Sequence, residues 1–289
     1  MEGVDYIPNI GLVLNHQKKG VFTVVSRVIK WLEREGISYL IEKEAADLFN
    51  NDQLASYAEL RERVDLVIVF GGDGTFLQAA HHFFTTDIPL LGVNIGRLGF
   101  LTEIETNELE TALIQLLNGN FKIEKRMIIV AKVISNGVKV YQSQALNDIV
   151  LHRGSSSNML GIELFINDQI VNSYRADGLI IATPTGSTAY SLSAGGPIIN
   201  PNIRAIILTP ICPHTLYVRP MVIADYEKLR IIVTGNTSMK LNADGRYDFN
   251  LSSKDEIYLS AAKEELSIVK LPERTFYTIL HKKMRVGLV

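Results

Sequence analysis

The hydrophobic pattern is densest at Val64-Asp65-Leu66-Val67-Ile68-Val69-Phe70, a run broken only by Asp65. Successive rather than alternating apolar positions predict a strand buried on both faces. The run stops at Gly71-Gly72-Asp73-Gly74-Thr75, and Phe76, Leu77, Ala80, Phe83 and Phe84 then recur at helical spacing. Similar elements occupy the chain on either side. Ile10 to Leu14 predicts a first strand. Val21, Val24, Val25, Val28, Ile29 and Leu32 predict a helix reaching Glu35, with Gly36 behind it. Ile37 to Ile41 reads as a second strand, and a polar helix follows between Ala45 and Arg63. Pro89 to Asn94 gives a fourth strand, ending at Ile95-Gly96-Arg97-Leu98-Gly99-Phe100. Strands alternating with helices imply βαβ units and a parallel sheet. Ligands of such sheets sit at the carboxyl ends of the strands, where Asp73 and Asn94 both fall.

The texture changes after a helix from Leu109 to Leu117 that Gly119 closes. Short β-like runs follow, broken by Asn136-Gly137, Asn167-Asp168 and Gly235-Asn236, which are hairpin signals. Residues 1–122 therefore read as an α/β domain and residues 123–272 as a mostly antiparallel, β-rich one. The stretch from Thr275 to Met284 looks helical, and the C-terminal residues 273–289 are expected to return to the first domain.

Composition narrows the classes. The 289 residues suffice for two domains, and 47% hydrophobic with 21% charged residues fits an ordinary globular protein. A net charge of −2 leaves no basic footprint for nucleic acid and no polybasic patch for a membrane. Met1 to Asp5 lacks the basic and apolar regions of a secretory signal, and no apolar run reaches membrane-span length. Cys212 is the only cysteine, which excludes an internal disulfide, and its neighbours Ile211 and Pro213 suggest a buried thiol. The expected location is the cytoplasm.

Candidate chemistry begins at the glycines. They let the backbone turn sharply and approach a ligand without a Cβ in the way, and the helix behind them aims free N–H groups at phosphate oxygens. Asp73 is the one ionised side chain there. A plainer reading makes the loop a tight turn with Asp73 as the helix N-cap. Neither the P-loop nor the dinucleotide fingerprint fits, because Leu77 stands where the latter needs its third glycine. In the second domain, Ala145 to Leu151 reads as an apolar strand that carries Asn147 and Asp148 side by side. Asn147 can donate and accept, which suits an adenine edge or a ribose hydroxyl. Asp177-Gly178 precedes another apolar run, followed by five hydroxyls between Thr183 and Ser191 and then Gly195-Gly196-Pro197. So many hydroxyls suggest ribose and phosphate binding. Asn242-Ala243-Asp244-Gly245-Arg246 reads first as a two-residue hairpin turn. The histidines show no metal-ligand spacing.

Taken together, Gly71-Gly72-Asp73-Gly74-Thr75, Asn94 to Phe100, Leu146-Asn147-Asp148, Asp177-Gly178 and Thr183 to Ser191 resemble the bacterial NAD kinase family. The glycine loop alone is shared with diacylglycerol, sphingosine and phosphofructokinases; the long second-domain motif singles out NAD kinase. The resemblance implies a Rossmann-like α/β N-terminal domain, a β-rich C-terminal domain and an active site between them. It also implies transfer of the ATP γ-phosphoryl group to the 2′-hydroxyl of the adenosine ribose of NAD, with a divalent metal such as Mg2+ and a homodimer or homotetramer. By motif position, Asp73 is the proton acceptor, within a phosphate loop of Gly71, Gly72 and Thr75. NAD falls to Asp73, Gly74, Asn147, Asp148, Arg175, Asp177 and the segment Thr188, Ala189, Tyr190, Ser191, Leu192, Ser193. Asn158 and Arg246 join them where family members often carry histidine and glutamine. The alternatives are a lipid kinase of the diacylglycerol or sphingosine type and a non-catalytic dinucleotide-binding regulator.

Overall fold

The structure, a computed structural model, describes residues 9–49, 53–96, 98–102, 104–154, 158–234, 239–253, 255–272 and 274–285, without the side chains of Tyr247 and Arg285. Arg97, the Gly235-Asn236 turn and the segment Met1 to Asp5 lie outside the described residues. Two compact units divide the chain: Met1–Lys125 with Leu266–Val289, and Arg126–Glu265.

The first unit contains β1 (Asn9–Leu14), α1 (Val21–Arg34), β2 (Ser38–Glu42), β3 (Leu54–Ala55), α2 (Tyr57–Arg63), β4 (Leu66–Gly71), α3 (Asp73–Ala80), β5 (Leu90–Asn94), β6 (Ile104–Glu105) and α4 (Leu109–Leu117). Its strands lie parallel in the order β3-β2-β1-β4-β5-β6. β4 is buried at every position because β1 and β5 flank it while helices cover the sheet, which explains its unbroken apolar run. Between Ala45 and Arg63 the helix is shorter than expected. Only Tyr57–Arg63 is α-helical, opened by a Ser56–Glu59 capping box, and the two-residue edge strand β3 takes the space before it.

The second unit is built from β7 (Lys122–Ser135, entering from the first unit), β8 (Val138–Ala145), β9 (Asp148–Arg153), β10 (Leu160–Ile166), β11 (Gln169–Ala176), β12 (Gly178–Ala182), the short helix α5 (Tyr190–Ser193), β13 (Ala205–Ile211), β14 (Met221–Ala224), β15 (Leu229–Thr234), β16 (Met239–Ala243), β17 (Tyr247–Leu251) and β18 (Glu256–Lys270). One antiparallel sheet runs β14-β13-β12-β9-β16-β17, and β11, β10, β15 and the start of β18 form another antiparallel run. Ile149, Leu151, Leu179 and Ile181 of the first meet Ile162, Leu164, Ile231 and Val233 of the second in one buried core. Asn136 and Gly137 have φ of 48° and 80°, and Asn167 and Asp168 have 49° and 65°, as two-residue hairpin turns require. Cys212 is exposed rather than buried: β13 ends at Ile211, and the chain turns outward through a φ of 46° at the cysteine. β18 continues into the first unit, where Ile268 pairs in parallel with Leu90, and α6 (Phe276–Arg285) follows there.

Leu12 of β1 has no exposed surface and packs in the first unit's core. Leu12→Ala is expected to cost about 2–5 kcal/mol in urea unfolding, the range for leucine truncation in a tight core. A loss below half a kcal/mol would mean that β1 is not a core strand.

Candidate active site

In the first unit, β4 and β5 end side by side with Gly71 in register with Asn94. The turn into α3 places Gly72 at the N-cap with extended backbone and no capping side chain, and Asp73 is the first helical residue. The capping reading of Asp73 is therefore wrong. Its carboxylate reaches away from its own helix: Oδ2 accepts from the Phe100 amide at 2.8 Å, and Oδ1 accepts from the amides of Leu101 and Thr102 at 3.0 and 3.1 Å. The Thr102 hydroxyl adds a bond to Oδ1 at 3.2 Å. So close an approach leaves no room for a side chain at residue 99, where a Cβ would overlap Oδ1. Only glycine fits. The first amides of α3, at Asp73, Gly74 and Thr75, have no acceptor within the helix and face the loop.

Two lysines complete this end of the sheet, and motif reading found neither. Lys18, in the loop leaving β1, donates from Nζ to the Ile95 carbonyl at 2.6 Å. A Cβ built on Gly72 or Gly96 would lie 3.5 or 3.3 Å from that ammonium, so it stands directly over the glycines. The signal is topological: β1 neighbours β4, and the loop after β1 must share its end of the sheet. Lys270, at the end of β18, is buried; burial pulls its amine down to about 8, and the charge of Asp73 opposes that shift. Asn94 is buried too and donates to the Gly96 carbonyl at 2.9 Å, while its Oδ1 has no partner among the described residues. Thr75 fills the space over Gly71, where a Cβ would strike its hydroxyl.

In the second unit, the stretch Ala145 to Leu151 is not one strand. β8 stops at Ala145, β9 starts at Asp148, and the amides between them turn to one side. Asp244 collects them: Oδ2 accepts from Leu146 at 2.8 Å, and Oδ1 accepts from Asn147 at 2.8 Å and Asp148 at 3.1 Å. Asp244 and Gly245 have φ of 51° and 70°, and the turn is a hairpin. Ala243 pairs with Tyr247, however, so the connection holds three residues, Asp244 to Arg246, rather than two, and it also aims the carboxylate. Thr183 leaves β12 beside them. Its amide donates to the Asn147 carbonyl at 2.8 Å, its hydroxyl bonds to the Leu146 carbonyl, and a Cβ at Gly186 would collide with that Asn147 carbonyl. Asp148 is buried, and burial first, then the Asp244 charge, pushes its carboxyl up to about 7.

The hydroxyl-rich segment serves itself more than a ligand. Ser187 bonds the Pro184 and Ile199 carbonyls, Ser191 bonds Thr209 at 2.8 Å, and Thr188 bonds the Thr185 carbonyl at 3.2 Å. Thr183, Ser187 and Ser191 have no exposed surface. The outward positions are Tyr190, Leu192 and Ser193, with Thr188 and Ala189 partly covered; Tyr190 is 47% exposed and is not a core residue. Arg246 follows the Asp244 turn, half-buried, and Asn158 is exposed just before β10. Arg175 and Asp177 stand apart. They precede β12, whereas Thr183 follows it, a separation of about 20 Å along an extended chain. Asp177 pairs with Arg153 at 3.0 Å at that other end.

Two family descriptions match these stretches in order: the ATP-NAD kinase N-terminal domain over residues 10–121 and the ATP-NAD kinase C-terminal domain over residues 146–271. The chain belongs to the ATP-NAD kinase family. It is 42% identical to the NAD kinase of Desulforamulus reducens over 278 residues, 96% of each chain. To the NAD kinase of Nitrosomonas europaea it is 38% identical over 277 residues, 95% of this chain and 94% of that one. Among solved structures, a yeast NADH kinase complexed with NADH superposes with a TM-score of 0.89 and 27% identity, covering 97% of this chain and 88% of that one. An NAD kinase from Archaeoglobus fulgidus in complex with ATP gives 0.77 and 26%, covering 95% and 98%. The mixed α/β fold with a β-rich C-terminal part is thus the fold of this kinase family.

The raised carboxyl of Asp148 has a consequence for stability. Between its ordinary value of 3.8 and about 7, the folded protein keeps the proton and the unfolded chain has released it. The stability that this neutral acid contributes is complete below about pH 4 and is lost as pH rises through about 7. Asp148→Asn, which cannot ionise, is expected to be relatively more stable at pH 8 than at pH 5, when each is compared with the parent in urea melts. Equal differences at the two pH values would place Asp148 in a solvated site.

Proposed function

We propose that the chain transfers the γ-phosphoryl group of ATP to the 2′-hydroxyl of the adenosine ribose of NAD, giving NADP, in the cytoplasm. The observation that carries this reading is Asp73, fixed on three amides at the strand ends with the Lys18 ammonium over the neighbouring glycines. A ribose hydroxyl is a weak nucleophile until its proton is taken, and a fixed carboxylate does that. Oδ1 of Asp73 is saturated by three donors, whereas Oδ2 has one, so Oδ2 is the oxygen that takes the proton. Lys18 and the first amides of α3, with Gly71, Gly72, Gly74 and Thr75, hold the triphosphate and offset the charge that develops during transfer.

Asn147 and Asp148 bind the dinucleotide, with the outward Tyr190, Leu192 and Ser193, the partly covered Thr188 and Ala189, and Asn158 and Arg246 at its margin. Ser191 acts through its bond to Thr209, holding α5 in place. The reaction calls for a divalent ion such as magnesium, which would offset charge on the ATP phosphates when bound. Arg175 and Asp177, at the far end of β12, belong to the dinucleotide site of a second copy, which calls for the homodimer or homotetramer. No helix among the described residues is long and apolar enough to cross a membrane.

With Asp73→Asn, turnover is expected to fall by about two to four decades while NAD still binds, the usual loss when a general base is removed. Product analysis after incubation with ATP, magnesium and either NAD or diacylglycerol checks the substrate, and near-normal turnover of the variant sinks the base assignment. For the shared site, Asn147→Ala and Asp177→Ala are each expected to lose activity alone. Co-refolded together they are expected to recover part of it, because mixed oligomers then contain some intact sites. Absence of recovery from verified mixed oligomers would return Asp177 to its own chain.

A further inference from the structure

A cavity of about 350 Å³ opens between α1 and α4, made by none of the strand-end residues described above. Its apolar wall is Val28 and Trp31 of α1 with Leu109 and Leu113 of α4, all buried. The rim is charged. Arg27, Lys30 and Arg34 fall on one flank of α1 through their three- and four-residue spacing, and Glu110 is the one acid lining the cavity. Glu110 lies 4.0 Å from Arg34, which also bonds Glu35 at 3.0 Å, so Arg34 is already compensated. Arg27 and Lys30 are exposed and have no partner among the described residues.

Two uncompensated cations beside an apolar wall ask for a dianion with a hydrophobic body. The volume falls at the lower end of small-molecule pockets, about 300–1,000 Å³. A flat ring suits the wall, since guanidinium groups and indoles both stack on aromatic faces. Trp31 is only 7% exposed, and its indole N–H is buried away from solvent with no acceptor among the described residues. We infer that this groove binds an aromatic phosphate, with its ring against Trp31 and Leu113 and its phosphate on Arg27 and Lys30.

Trp31 is the only tryptophan in the chain, so fluorotryptophan labelling of the whole protein gives one fluorine resonance, located at the cavity. Naphthyl phosphate is the probe, with inorganic phosphate and naphthol as separate titrations. Naphthyl phosphate is expected to shift the resonance saturably and to bind at least about tenfold more tightly than either fragment, with affinity falling as salt rises. Arg27→Glu with Lys30→Glu, both at exposed positions, is expected to weaken it at least about tenfold while turnover and KM for NAD stay unchanged. Three results overturn the inference: no saturable shift, equal binding by naphthol, or unchanged affinity in the charge-reversed protein. The last would also identify a shift relayed from the phosphoryl-transfer site.

Discussion

A carboxylate seated on three consecutive backbone amides occurs twice among the described residues, and both candidate centres depend on it. Asp73 takes the amides of Phe100, Leu101 and Thr102, and Asp244 takes those of Leu146, Asn147 and Asp148. Successive amides of a strand point to opposite sides, so three that converge on one acceptor force the chain out of its ladder. That is why Leu146 and Asn147 bend between β8 and β9. Hydrogen bonds to a charged group contribute about 1.5–3 kcal/mol each when they are well made, enough to hold a loop that has no strand partner. The device also fixes side-chain direction, which a reacting carboxylate needs more than it needs affinity.

Charge is handled differently at the two centres. Around Asp73 the neighbours are cationic: Lys18 over the glycines, Lys270 buried behind, and the amide end of α3. This end of the sheet tolerates, and attracts, anions. Around Asp148 the neighbour is another carboxylate, Asp244, and burial with that like charge keeps the proton on Asp148 near neutral pH. One acid is thus held ready to accept hydrogen bonds and the other to donate one.

The hydroxyl-rich segment turns most of its polar groups inward. Its residues do form a special turn beside Asn147, but Ser187 and Ser191 spend their hydroxyls inside the protein. What they leave outward is Tyr190 and its short helix. Polar density here marks a tight turn whose buried hydroxyls bond within the protein, while Tyr190, Leu192 and Ser193 are left outward.

By itself the sequence determined the elements whose cause is local. The unbroken apolar run of β4, the helical period of α1, the glycines at Gly71 and Gly72 and the hairpin at Asn136-Gly137 all follow from burial, periodicity and φ preference within a few residues. The family motifs were legible for the same reason, since each is a short segment. Tertiary structure alone decided what depends on two distant segments meeting: that Asp73 turns to Phe100–Thr102 instead of capping its helix, that Lys18 lies over the loop, that Lys270 and Asp148 are buried, and that Asp177 and Thr183 stand at opposite ends of one strand. No local rule fixes these, because a hydrogen bond between residues 27 or 98 positions apart is set by sheet order and register, and those are properties of the folded chain.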